Sequence, residues 1–387
     1  MKSNTFKSIP IFLAFLCMGF GDVVGPLTSQ LQNEYQLSNL LAGLVTAMGF
    51  IMFGILSIPL SVFQARKGKK YILQIGLIIA FVGLILPIIG NFSSFGLLLG
   101  SLLLLGTGAT TLQVAGNPIM RNVSPEGKYS RNLSFAQFIK AIGSLSGALL
   151  PLAAANYFGK DWKILFPTYA ALVFITLIYI LTVKIEEKSN EKNEKTASFG
   201  SALRLLGNPF ILMMVAGIFL YVGAEVCMSA KLPNYLENRF QFDIKTLGLV
   251  GTLFFFLALM AGRFLGGVVL NWISPRKFLI STSVIALLGI GGLYISPNPL
   301  YGFISIAIIG LGFANVFPLV FSIAIDKMPE RSNEISGLMV TAIIGGALVP
   351  IVFGLVADLF TLMTGFIVPA LCFLYIFVIS TLNKSIR

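Results

Sequence analysis

The sequence predicts an all-α polytopic membrane protein of twelve transmembrane helices in two pseudo-symmetric six-helix bundles, and three observations predict it. First, 56% of the 387 residues are hydrophobic and only 11% are charged, whereas a soluble domain carries about 25% charged residues. Second, the apolar residues fall in twelve runs, each near the roughly 20 residues that a membrane-spanning helix needs. Third, short motifs of the first six runs return in the same order in the last six. Such a composition excludes a soluble enzyme, a nucleic-acid-binding module and a disordered scaffold.

In chain order, run 1 (8–31) holds Asp22 and Pro26 and is too long for the apolar core of a signal peptide. Run 2 (40–64) opens near GLV at 43–45 and contains Pro59; run 3 (71–89) is apolar throughout. Run 4 (95–120) carries GTG at 106–108, then Thr110, Gln113 and Asn117 at i, i+3 and i+7, ahead of Pro118. Run 5 (133–155) repeats that spacing with Gln137, Lys140 and Ser144 and ends near GALLP at 147–151. Run 6 (165–183) is apolar and follows Trp162, and the polar segment 184–200 closes the half. Run 7 (209–235) carries Tyr221, Glu225 and Ser229 at i, i+4 and i+8. Run 8 (247–272) has GLV at 248–250, Arg263 and Trp272; run 9 (277–295) is apolar. Run 10 (300–325) has GLG at 310–312, Asn315, Phe317, Pro318 and Ser322, with Asp326 just beyond. Run 11 (335–358) has GALVP at 346–350, and run 12 (363–382) is apolar.

The three motif pairs are offset by 205, 204 and 199 residues, and Asp22 and Glu225 by 203. The repeat divides the chain into residues 1–183, a cytoplasmic linker at 184–205, and residues 206–387. Parallel repeats of this kind bind their substrates near the membrane midplane. Polar residues at helical spacing share one face, and in lipid that face turns toward other helices or water. Interhelical hydrogen bonding produces the same stripes, so a single Gln or Asn decides little. Membrane-embedded acids and lysines are expensive and point more strongly to function.

The net charge of +12 has a topological origin. With the amino terminus cytoplasmic, 20 Lys and Arg lie on the cytoplasmic side and four on the other, a positive-inside bias. The termini and the linker are therefore expected in the cytoplasm, and the chain in the cell (inner or plasma) membrane. Cys17, Cys227 and Cys372 lie in apolar runs and give neither a disulfide framework nor metal-ligand spacing. Histidine is absent, which leaves proton chemistry to carboxylates, lysine or tyrosine. Catalytic signatures such as GxSxG, HExxH, C-x-x-C and phosphate loops are missing, so the chain is read as no enzyme, without a cofactor and without a nucleic-acid partner.

Several motifs resemble the major facilitator superfamily and, within it, the fucose permease and glucose/galactose permease branch. They are LQVAGNP (112–118), RNLSFAQ (131–137), YVGAEV (221–226), AGRFLGG (261–267), GGALVP (345–350) and a partial ARKGKK (65–70), where Ala65 stands in place of the usual Asp. The resemblance implies a monomeric sugar:cation symporter working by alternating access on a hexose or related monosaccharide. It places Asp22 at a sugar-binding acid of helix 1, Gln113 where the fucose permease has a proton-coupling Glu, and Lys140 where the branch often has Asn. The expected sugar contacts are Asp22, Gln113, Asn117, Gln137, Lys140, Tyr221, Asn315 and Phe317, with Phe20 as a further ring. Ion coupling is expected at Asp22, Glu225 and Lys140, with Na⁺ or H⁺ as the ion and a Na⁺ site at Glu225 and Ser229. Asp22 and Lys140 are expected to face one another, the competing reading being that Lys140 snorkels to the cytoplasmic surface. Arg263 and Asp326 are expected to form a gating or structural pair. Trp162 and Trp272 read as interfacial anchors. Two alternatives stand: proton-driven export of drugs or metabolites, and symport of a sugar acid or organic anion bound by Lys140.

Overall fold

The computed structural model describes residues 3–23, 27, 31, 34–36, 39–159, 161–185, 187, 198–241 and 249–382. Pro26 and most of the charged linker lie outside these residues. Among the described residues the chain is helical, with no strand. Ten helices are long and apolar enough to cross a membrane; the shorter apolar helix near the amino terminus and the 30-residue helix that carries Lys140 bring the count to twelve.

The first six are α1 (Ser3–Gly19), α2 (Asn39–Lys67), α3 (Lys69–Ile89), α4 (Phe95–Val123), α5 (Tyr129–Phe158) and α6 (Leu165–Thr182). The second six are α7 (Pro209–Phe240), α8 (Leu249–Val269), α9 (Pro275–Ile295), α10 (Pro299–Lys327), α11 (Pro329–Leu359) and α12 (Leu362–Leu382). Large apolar side chains such as Ile175, Leu288 and Leu371 stand exposed, while Gln113, Asn117, Gln137 and Asn315 are buried. Apolar outside and polar inside is the pattern lipid imposes, because a polar face has no partner among acyl chains.

Three runs differ from plain helices. The α-helical part of run 1 stops at Gly19 and tightens into a 3₁₀ turn, Phe20–Val23. Run 10 breaks between Phe313 and Val316, where Pro318 in the next turn lacks the N–H a continuous helix would use. Run 11 contains a 3₁₀ turn, Ala342–Ile344, just before Gly345 and Gly346.

By internal contacts the chain forms two units. One comprises Met1–Glu126, Ile139–Arg204 and Glu330–Thr341; the other comprises Gly127–Phe138, Leu205–Pro329 and Ala342–Arg387. Each unit thus takes in a short stretch of helix from the opposite half of the sequence.

In the first unit α1 crosses α5 at Gly19 and Gly143. A Cβ on Gly19 would collide with the backbone carbonyl of Lys140, and one on Gly143 with that of Leu16. Gly108 of α4 meets Ala80 of α3 in the same way. The borrowed stretch of α11 is held by Ser336, which donates to the Val114 carbonyl at 2.8 Å, and by Asn333, which accepts from Gln64 at 2.8 Å.

The second unit repeats this arrangement. α7 crosses α11 at Gly223 and Gly345, where a Cβ on Gly345 would strike the carbonyl of Phe219, and Gly312 of α10 lies on Ala286 of α9. These close approaches recur at offsets of 202 to 206 residues, so the repeat seen as motifs is a repeat of helix crossings. Small residues let helix backbones approach where apolar burial gives no net drive in lipid. The borrowed stretch of α5 packs through Ser130 against Ser322 at 2.7 Å and through Phe135 and Phe138 against Phe264.

Candidate substrate and ion site

In the first unit the end of α1 presents the acid. Phe20 stacks on Tyr169 with ring centroids 3.8 Å apart and planes within 5°, and the Tyr169 hydroxyl is 2.8 Å from that of Ser146. A Cβ on Gly21 would press on Ala109 of α4. The turn is therefore clamped from two sides and projects Asp22 toward α5. There Lys140 Nζ lies 3.1 Å from Asp22 Oδ2, and Ser144 Oγ donates to the same oxygen at 2.7 Å. Lys140 and Ser144 are one helical turn apart, so a single face of α5 supplies both partners. The Lys140 side chain is 14% exposed and that of Asp22 39%. The ammonium reaches the carboxylate rather than snorkelling to the cytoplasmic surface. Gln113 and Asn117 are buried on the inward face of α4.

In the second unit the acid is Glu225, whose Oε1 lies 3.6 Å from Arg263 Nη2. Arg263 also donates through Nε to the Ala314 carbonyl at 3.3 Å and through Nη1 to the Gln137 carbonyl at 3.5 Å. Ala314 stands at the C-terminal end of the first segment of α10, where unpaired carbonyls favour a cation. The break in α10 thus gives the guanidinium a second anchor. Asn315 in the same break donates through Nδ2 to the Gly262 carbonyl at 2.7 Å, and its buried Oδ1 has no hydrogen-bond partner.

The remaining expected residues are distributed as follows. Tyr221 is fully buried between Phe313 and Phe373, Phe20 is buried under Tyr169, and Phe317 packs on Phe321. Each of the three has an aromatic neighbour in this structure. The Ser229 hydroxyl donates to the Val226 carbonyl at 3.1 Å, which leaves its oxygen lone pairs available to accept. The partner found for Arg263 is Glu225 in place of the expected Asp326, which is exposed at the end of α10. Among the described residues no group of three or more Asp, Glu, Cys or His side chains could hold a metal.

The sequence matches the Major Facilitator Superfamily over residues 11–350. The chain belongs to the major facilitator superfamily. It is 27% identical over 393 residues to the glucose/galactose transporter of Brucella abortus (strain 9-941), covering 97% of this chain and 93% of that one. It is 24% identical over 410 residues to the L-fucose-proton symporter of Escherichia coli K12, covering 97% and 91%. The solved structure of the facilitator FucP in the outward conformation superposes with a TM-score of 0.84 at 21% identity, over 98% of this chain and 99% of that one. As a superfamily member the chain is a multi-pass membrane transporter.

Three features of this facilitator lay outside the sequence reading. The Glu225–Arg263 pair had a signal in depth: each residue lies about four turns from the α7–α8 connection, and antiparallel neighbours at equal depth can meet. Trp162 is buried and donates to Glu34 at 2.7 Å, with Lys163 2.7 Å from the same carboxylate; Trp272 alone stands exposed, as an anchor would. Glu187 of the linker accepts from the amides of Lys69 and Lys70, both at 2.7 Å, at the start of α3. The linker thereby supplies an anion to a helix N-terminus close to Ala65, where the family motif usually has Asp.

Proposed function

We propose that this facilitator moves a neutral monosaccharide, a hexose or a close relative, across the cell (inner or plasma) membrane by alternating access, together with a cation (Na⁺ or H⁺). In this reading it imports the sugar as a monomer with both termini cytoplasmic. One observation carries the substrate class: Asp22 has Lys140 and Ser144 on the same oxygen, Oδ2, and its side chain stays partly open. A carboxylate held in this way can accept hydrogen bonds from sugar hydroxyls at its other oxygen, and the neighbouring Lys140 ammonium can donate one. Within the same unit Gln113 and Asn117 extend this chemistry, and in the second unit Gln137 and Asn315 offer groups of the same kind; a few placed polar groups fix the orientation of a ligand. The glucose/galactose and L-fucose-proton names of the relatives support the sugar.

The arrangement disfavours a sugar acid, because a substrate carboxylate would have to take Lys140 from Asp22 and then lie beside that acid. Ion coupling is assigned to Glu225, where a proton or Na⁺ would exchange with Arg263, 3.6 Å away, for the carboxylate during the cycle. Counterflow of labelled glucose, galactose and fucose into proteoliposomes tests the function. Saturable accumulation of at least one sugar, reduced at least tenfold in Asp22→Ala, is expected. Vesicles that accumulate none of these sugars, while exchanging an organic anion or extruding a hydrophobic cation, would overturn the reading.

A further inference from the structure

The Asp22 carboxylate, at membrane depth, already carries a positive charge belonging to the protein. We infer that Lys140 is a tethered counter-ion occupying the place of a transported cation at Asp22, so that Asp22 binds sugar throughout the cycle without taking up a proton or Na⁺. The inference deepens the sugar-transport reading and rests on it: it assigns to Lys140 the setting of how many ions accompany the sugar.

Geometry carries the argument. Lys140 Nζ and Ser144 Oγ both fall on Oδ2, at 3.1 and 2.7 Å. A sodium ion at this carboxylate would sit within a few ångströms of an ammonium, and a proton on it would leave Lys140 charged and unpaired at depth; each state is disfavoured where charges are poorly solvated. The position of Lys140 is fixed by the backbone, because its own carbonyl lies against Gly19 at the α1–α5 crossing. The crossing thereby holds the backbone of Lys140 beside the turn that carries Asp22.

Among the described residues of the helices around this pair, few other groups can titrate. α1 offers Cys17, whose thiol donates to Thr176 of α6 at 3.5 Å, and α6 offers Tyr169, hydrogen-bonded to Ser146. α4 presents the neutral Thr110, Gln113 and Asn117, with Arg121 in its last turn, and α5 carries Arg131 in its first turn. Thiols and phenols ordinarily ionise above pH 8, and arginine keeps its charge. The carboxylate left without a counter-ion by loss of Lys140 is that of Asp22.

The test is counterflow of labelled glucose and galactose in proteoliposomes, from pH 5.5 to 7.5, in sodium and in choline buffers. It compares wild type with Lys140→Ala, Lys140→Asn, Lys140→Arg and the double variant Asp22→Asn/Lys140→Ala. Relative to wild type, the Ala and Asn variants are expected to gain at least a fivefold dependence of half-saturating sugar on pH or Na⁺, with affinity restored by acid or by sodium. Lys140→Arg keeps the wild-type dependence on pH and Na⁺ whatever its sugar affinity, and Asp22→Asn in the Lys140→Ala background removes the new dependence. Ion profiles in the Ala and Asn variants that match wild type would overturn the inference. So would a new dependence that survives Asp22→Asn. If both variants are silent in counterflow, sugar binding to the purified, monodisperse proteins is measured under the same conditions; binding that neither acid nor sodium restores also overturns it. Wild-type protein that moves neither sugar counts against the sugar reading instead, so the two failures are distinguishable.

Discussion

The two halves of the molecule solve one problem with different parts. In each, the first helix crosses the fifth at a pair of glycines, Gly19 with Gly143 and Gly223 with Gly345, and carries an acid two or three residues further on. In the first unit the helix has stopped at Gly19, and Asp22 sits on a 3₁₀ turn with Lys140 of α5 as its cation. In the second, α7 runs on to Phe240, and Glu225 takes Arg263 of α8. The repeat thus preserves backbone crossings and acid positions, while the compensating cation comes from a different helix in each half. A buried acid needs a partner, but no symmetry fixes where that partner must come from.

The difference predicts an order of effects, read as thermal unfolding midpoints of purified protein from the fluorescence of Trp162 and Trp272. Arg263→Ala is expected to be the most damaging, because it strands Glu225 in a largely buried site; breaking such a pair costs about 3–5 kcal/mol. Gly143→Val comes next, since its Cβ would push against the backbone carbonyl of Leu16, with overpacking costing about 1–3 kcal/mol. A Gly143→Val protein that unfolds with wild type would show that the crossing is not tight.

Lys140→Ala should cost about 1 kcal/mol or less, because Asp22 is 39% exposed and keeps Ser144. If Lys140→Ala proves worse than Arg263→Ala, the two sites have been ranked in the wrong order. Ser144→Ala removes one hydrogen bond to a carboxylate that solvent also reaches, and is expected to lose about 0.5 kcal/mol, the low end for a hydrogen bond. It should raise half-saturating sugar only severalfold, which counterflow would check.

The same comparison explains what the sequence could reveal. Twelve runs, the repeat and the inward stripes followed from hydropathy and period, since lipid tolerates few alternatives. The Asp22–Lys140 pair was legible because two costly charges in one half had few other partners. Glu225 and Arg263 were each legible as buried charges, but their pairing was not, because hydropathy and spacing within a helix do not encode which neighbour lies alongside. The kink at Asn315 that supplies Arg263 with a carbonyl is likewise a tertiary fact, since Pro318 marks a break without saying what will use it. The aromatic rings are a related case. Phe20, Tyr221 and Phe317 suit a sugar face chemically, yet each is packed against another ring, and composition alone does not separate a stacking platform from a core.

The central claim is that each embedded acid is held by its own cation. It is tested most directly by the unfolding midpoints of Asp22→Asn, Lys140→Ala and the double variant Asp22→Asn/Lys140→Ala. Removing both charges of a pair relieves the strain of leaving one behind, so the double variant should unfold at a higher temperature than either single one. A double variant whose loss equals the two single losses combined would show that Asp22 and Lys140 do not act on one another.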